Sequence, residues 1–342
     1  VSVLPRLAAP AVRPFAILVA VFAMFAVLAA IDRSGRSFVS VATGFSVMQL
    51  FATLSLVTLG LALTMMIREF DISVAGMFGL AGVVAVMTGV ESPWLGLAAA
   101  VAVGLFAGLA QGLIIVWLRL SSVAVTLGGL LTFLGIAFVL TRNTSISYGN
   151  MDVALALNHA LFGLFSVRTL VAVAVIVCVA ALMAFTRVGR DVIATGSDRH
   201  ASATAGVNTD RILIGAFMAS GALTALGAAL LSYSLAAATP GGLVADILVP
   251  ATAAAIIGGV SLGGGRGHPL GIAAGVLVLC LLRSGLTAME APPHVHQIVI
   301  GAVLLLVAIL DGPALARRVT EWRLGWREMR AAQDAAARGA AS

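Results

Sequence analysis

The chain contains no lysine; all twenty of its cationic side chains are arginine. That removes whole classes of chemistry. A P-loop nucleotide site needs a lysine to reach the phosphates, and a Schiff-base enzyme needs a lysine amine. Charge of either sign is scarce, at 10% of residues, against about a quarter in a soluble domain. Only two cysteines are present, Cys178 and Cys280. Both fall inside apolar runs and read as small core hydrophobes, which leaves no disulfide framework. Nucleophile–base sets, zinc-protease spacings and paired carboxylates are also missing. His294 and His296 follow Pro292-Pro293, but a zinc site would need further ligands, so they read as a solvated loop pair. Ionisable residues inside the apolar runs are too few for a proton or ion relay.

What the sequence does have is apolar length. Of 342 residues, 61% are hydrophobic. A bilayer core of about 30 Å needs roughly 20 apolar residues per helical span. Ten such runs occur, near 15–31, 47–67, 74–90, 94–117, 123–141, 168–186, 212–233, 247–263, 269–288 and 297–310. The expected fold is therefore all-α, a polytopic membrane protein of about ten spans. It divides into an N-terminal segment 1–13, a membrane domain 14–312 and a polar tail 313–342. The first run is longer than a signal-peptide core and lacks a clean cleavage site, so it reads as an uncleaved span.

Arginine placement sets the orientation, because short inner loops are enriched in Arg. With both termini inside, fifteen arginines lie on the cytoplasmic side, including Arg68, Arg119, Arg187, Arg190, Arg199, Arg211 and Arg266. Four lie outside: Arg33, Arg36, Arg142 and Arg168. Arg283 sits within a span. The positive charge is spread over loops and tail, which argues against nucleic-acid binding despite the basic pI. In the tail, Trp322 and Trp326 accompany six arginines at helical spacing, a pattern that lies on a lipid surface. The long outer loop 142–167 is available to an external partner.

The chief polar interruption is 187–211. Ser197 or Asp198 can N-cap a short helix there. Arg199, His200, Ala201, Ser202, Ala203, Thr204 and Ala205 can form about two turns. Gly206 can take the left-handed residue that closes them. A capped surface helix between two spans reads as a docking element; the other reading is an ordinary basic loop.

Several small-residue patterns follow. Gly104, Gly108 and Gly112 repeat every four residues, which lets helix backbones approach closely and is a packing feature. Gly96-Leu-Ala-Ala-Ala in the fourth span echoes Gly271-Ile-Ala-Ala-Gly in the ninth, a faint sign of an inverted five-span repeat. In 68–76, Asp71 and Ser73 sit between two spans. If the helix breaks inside the bilayer, they line protein or a water-filled path; otherwise Asp71 caps the third span. In 258–267, Gly258 and Gly259 shorten a span, as glycines do near transporter binding regions. Gly263 to Gly267 read as a tight turn. Pro250 is expected at the first turn of the eighth span.

Four of these stretches resemble the permease subunit of carbohydrate-type ABC importers, the ribose/xylose/galactose group. They are Glu69-Phe-Asp71-Ile-Ser73-Val-Ala75-Gly76, Ser122-Val-Ala-Val-Thr126-Leu-Gly128, the loop from Gly189 to Val207, and Gly258-Gly259-Val260-Ser261-Leu262-Gly-Gly-Gly-Arg-Gly267. Ala75 stands where the pattern usually has Gly, and Val260 where it has Thr. The resemblance covers about 47–312. It implies a permease that holds no cofactor, paired with itself or with a second permease subunit. Separate ATPase subunits would bind ATP and Mg, and a periplasmic solute-binding protein would deliver a sugar or related polar solute at the inner membrane. Asp198 to Ala205 would be the coupling helix, and Asp71, Ser73, Thr126, Gly258 and Gly259 would lie on the substrate path. A stand-alone secondary transporter or channel is the alternative.

Overall fold

A computed structural model describes residues 14–24, 26–27, 40–241 and 244–311. The helices are α1 (Pro14–Met24), α2 (Val41–Met66), α3 (Val74–Thr88), α4 (Pro93–Leu118), α5 (Ser122–Thr141), α6 (Met151–Asn158), α7 (Val167–Phe185), α8 (Arg187–Ser197), α9 (Arg199–Thr204), α10 (Thr209–Ser234), α11 (Val244–Ile257), α12 (Pro269–Ala288) and α13 (Pro293–Asp311). Two strands of two residues each, β1 (Ile146–Ser147) and β2 (Ala237–Ala238), pair antiparallel. Each of the ten apolar runs holds one helix. Six of these, α2, α4, α5, α7, α10 and α12, are long and apolar enough to cross a membrane. Helices α1, α3, α11 and α13 contribute shorter apolar stretches over the described residues. The Trp-bearing tail and the first thirteen residues lie outside the described residues.

Helices α2 and α10 form the centre of the bundle. In lipid there is little hydrophobic drive between helices, so close packing holds them. Small residues supply that closeness. The α4 repeat faces α10: a Cβ on Gly104 would sit 2.3 Å from the Gly221 carbonyl oxygen, and one on Gly108 would sit 2.1 Å from that of Phe217. On α2, a Cβ on Gly60 would lie 3.0 Å from the Ser220 backbone. Leu56, Leu59, Leu61 and Phe217 are fully buried around these seams.

The bundle has two distinct ends. At one, α8 and α9 meet the loop between α2 and α3 and the glycine loop between α11 and α12. At the other, Tyr148 stacks on Tyr233 at 4.6 Å. The Tyr148 hydroxyl donates to the Gly89 carbonyl at 2.9 Å, and Asn158 donates to the Ser234 carbonyl at 2.7 Å. The predicted loop 142–167 is thus a folded cap made of β1 and α6. Pro250 departs from expectation: it lies inside α11, which already begins at Val244. A missing amide within a membrane helix is tolerated where neighbouring helices enclose it, and α11 packs against α2, α12 and α13.

Candidate functional site

The segment between α2 and α3 is a built bend. Helix α2 ends with Arg68 in the left-handed region (φ 65). The amides of Arg68 and Glu69 donate back to the carbonyls of Met65 and Thr64, each at 3.0 Å. This is a Schellman closure, with arginine at a position usually given to glycine. The chain then turns inward to Asp71, which is 2% exposed. One carboxylate oxygen accepts from the Ser73 amide at 3.0 Å and from the Ser73 hydroxyl at 2.6 Å. The other accepts from the Ser220 hydroxyl on α10 at 2.7 Å. The Ser73 hydroxyl also lies 3.1 Å from Gln111 Oε1 on α4. Thr126 on α5 donates to the Ser122 carbonyl of its own helix at 2.8 Å and lies 3.3 Å from the Phe70 carbonyl. Ser220 is eleven residues into α10, about 16 Å along it, so the bend reaches well inside the bundle. Helix α3 starts there, and its 15 residues span only about 22 Å, less than the roughly 30 Å of a bilayer core.

Of the residues singled out from sequence, Asp71 and Ser73 are hydrogen-bonded to each other, and Thr126 sits beside the same bend, against the Phe70 carbonyl. Gly258 and Gly259 lie apart from this bend. They close α11 in a second Schellman turn, with the Val260 amide on the Ala255 carbonyl at 3.0 Å and Gly259 at φ 89. A Cβ on Gly258 would sit 2.7 Å from the Gly271 carbonyl of α12. Residues 263–267 form the expected turn, with Gly264 and Gly265 at φ 72 and 68.

The short helix α9 is built as its sequence predicts. Asp198 is its N-cap, accepting from the Ala201 amide at 2.9 Å. That amide holds the Asp198 carboxyl below the usual carboxylate range. Gly206, at φ 90, closes the other end, with the Val207 amide on the Ser202 carbonyl at 3.0 Å. Ser202 faces the protein, while Arg199, His200, Ala201, Ala203, Thr204 and Ala205 are exposed. Arg199 donates to Glu69 at 3.3 Å and to Asp210 at 3.1 Å. Beneath it, Arg68 donates to the Ser197 carbonyl at 2.6 Å and to the Gly263 carbonyl. Gly265 donates to the Met66 carbonyl at 2.8 Å. Three loops thus lock together under α9. Helix α8, read only as a polar interruption, supplies half of this element. Its buried Gly189, Val192, Thr195 and Gly196 recur on one helical face, a signal present in the sequence.

At the opposite end lies a cavity of about 640 Å³. Its walls come from the first half of α2, the starts of α7 and α11, the end of α12, and α13. Neither Asp71, Ser73, Thr126, Gly258 nor Gly259 lines it. Its polar lining includes Ser46, Gln49, Thr53, Arg168, Arg283 and Ser284. Arg168, placed by its sequence in an outer loop, is instead 5% exposed, in the first turn of α7. It donates to Gln49 Oε1 on α2. Local sequence carries no trace of that long-range partner. Arg283 was placed within a span by its sequence but given no role there; a lone charge within an apolar run is the signal that could have marked it.

Residues 43–308 match the family described as "Branched-chain amino acid transport system / permease component". The autoinducer 2 import system permease protein LsrC of Yersinia pseudotuberculosis serotype O:1b is 32% identical over 299 residues, covering 86% of this chain and 83% of that protein. Its counterpart in Yersinia enterocolitica serotype O:8 is 31% identical over 297 residues, covering 86% and 81%. No solved structure matches the chain.

Proposed function

Because the chain belongs to the family of permease components of membrane import systems, we propose that it forms part of the pore of an ATP-binding-cassette importer for a sugar or sugar-like polar solute. It is a transport component rather than an enzyme. The family description names branched-chain amino acids and the relatives' names autoinducer 2; an autoinducer-2-like furanose is one solute within the proposed class. The observation that carries the reading is α9: a helix capped at both ends, exposed, and bonded through Arg199 to the bend that holds Asp71.

On this reading, an ATPase subunit that binds ATP and Mg docks on Asp198 to Ala205. The α9 end is cytoplasmic, as are both termini, and the protein sits in the bacterial inner membrane with ten spans. A second permease subunit completes the pore, and a solute-binding protein presents the solute at the end that carries the cavity. The closed loops under α9 and the cavity at the far end correspond to an outward-facing state. Asp71, Ser73 and Thr126 act as the bend that passes α9 movement into α3, α4, α5 and α10. Helix α11 carries Pro250 on the cavity wall and Gly258-Gly259 at its other end, so movement at the diglycine reshapes the path.

Uptake into proteoliposomes holding this chain and its co-purifying subunits tests the reading. Uptake that needs ATP and stops with vanadate is expected. Solute movement by this chain alone, without ATP, would overturn it in favour of a stand-alone transporter.

A further inference from the structure

We propose that Arg168 and Arg283 make the cavity a binding site for a negatively charged polyol, a small solute carrying a carboxylate or phosphate beside its hydroxyls. The inference rests on the transport reading above and names the solute class. Arg168 is buried against α2, yet only one of its guanidinium nitrogens has a partner, Gln49 Oε1. Its Nε and Nη1 are buried and unpartnered, and so is Nε2 of Gln49. Unmet charged donors in a bundle interior are costly unless a ligand or water meets them. Arg168 and Gln49 both line the cavity.

Arg283 lines the same cavity from α12. It also lines a second space of about 840 Å³, toward Glu290 and His296. The two spaces are neighbours, with Pro250, Arg283, Thr287 and Ile300 lining both. Among the described residues the 640 Å³ cavity has no acidic side chain in its lining, and neither arginine has an ion pair with a carboxylate. Two cationic side chains on one cavity wall, one of them with unpartnered N–H groups, favour anionic acceptor oxygens, which the guanidinium fork grips in pairs. Ser46, Thr53 and Ser284 on the same walls suit hydroxyls.

The test uses the complex of this chain with its co-purifying subunits in nanodiscs, titrated calorimetrically with D-ribose, D-ribonate and D-ribose 5-phosphate. At least one of the two anions should bind roughly tenfold or more tighter than D-ribose, the scale of a charge-assisted hydrogen bond. Which anion binds separates a carboxylate site from a phosphate site. Arg168→Gln and Arg283→Gln, on different helices, should each abolish the preference, while Arg168→Lys should keep part of it. Equal binding of the three ligands, no binding, or a preference that survives both glutamine variants would overturn the proposal and leave water as the partner of Arg168. Vanadate-sensitive uptake is read on the same complex reconstituted in proteoliposomes. Its loss alongside an intact anion preference would remove the transport reading and not the site.

Discussion

Arg199 on α9 contacts Glu69 in the α2–α3 bend at 3.3 Å, two residues before the buried Asp71. Its second nitrogen holds Asp210 at the start of α10, at 3.1 Å. One guanidinium thus ties the exposed helix to two elements that enter the bundle. Arg199 is 43% exposed and Glu69 17%, and pairs this open contribute about 0–1 kcal/mol. The contact therefore contributes little to stability, and on the proposed reading its role is transmission.

Glu69→Gln should accordingly leave the thermal midpoint of the assembled complex almost unchanged. Uptake per ATP hydrolysed should fall several-fold, because α9 is released from the bend. Parallel measurement of ATPase activity and uptake in proteoliposomes checks this; an unchanged ratio would separate the contact from coupling.

Asp71 accepts three hydrogen bonds from two serines. Asp71→Asn keeps an acceptor and a similar shape, so the complex should assemble while transport falls roughly tenfold, the scale of one charged hydrogen bond. Asp71→Ala leaves the Ser73 and Ser220 groups unmet at about 1–3 kcal/mol, and should lower both thermal stability and yield. Size-exclusion profiles with uptake assays distinguish the two. Normal uptake by the Asn variant would reduce Asp71 to a helix cap.

Gly196 lies where backbones touch. An added Cβ would stand 1.8 Å from the Met66 carbonyl oxygen and 2.6 Å from the Gly265 amide, and neither backbone atom can swing aside. Gly196→Ala should open the junction under α9 and sharply reduce ATPase co-purification. Gly128→Ala, with nothing within 4 Å of its Cβ, should behave as wild type.

The cap of α9 carries a pH dependence. Asp198 is held below its ordinary value of 3.8 by the Ala201 amide. Its contribution is fully present above that ordinary value and is lost as pH falls through the lowered one. Asp198→Ala should loosen α9 and weaken ATPase binding near neutral pH, whereas Asp198→Ser should largely preserve it. Affinity titrations of the ATPase against the three proteins measure this.

Much of this was legible in the sequence where the causes are local. A cap at Asp198 and a closure at Gly206 are properties of one short stretch. The four-residue repeat of Gly104, Gly108 and Gly112 needs only a partner helix, and α10 provides it. Asp71 and Ser73 were found because charge is rare between apolar runs. The cavity was not legible, since Arg168 meets Gln49 across 119 positions and charge counting placed it among loop arginines. The pairing of β1 with β2 is equally non-local. Pro250 was misjudged because helix α11 starts earlier than the proline rule expects, with neighbouring helices around the break.

The central claim is that α9 is where an ATPase drives this permease. Its most direct test is purification of the Arg199→Glu/Ala203→Asp variant in mild detergent, followed by quantification of the bound P-loop ATPase and of ATP-driven uptake. The account predicts a permease that still assembles in the membrane but loses the ATPase and its uptake together. Full ATPase recovery with normal uptake would contradict it.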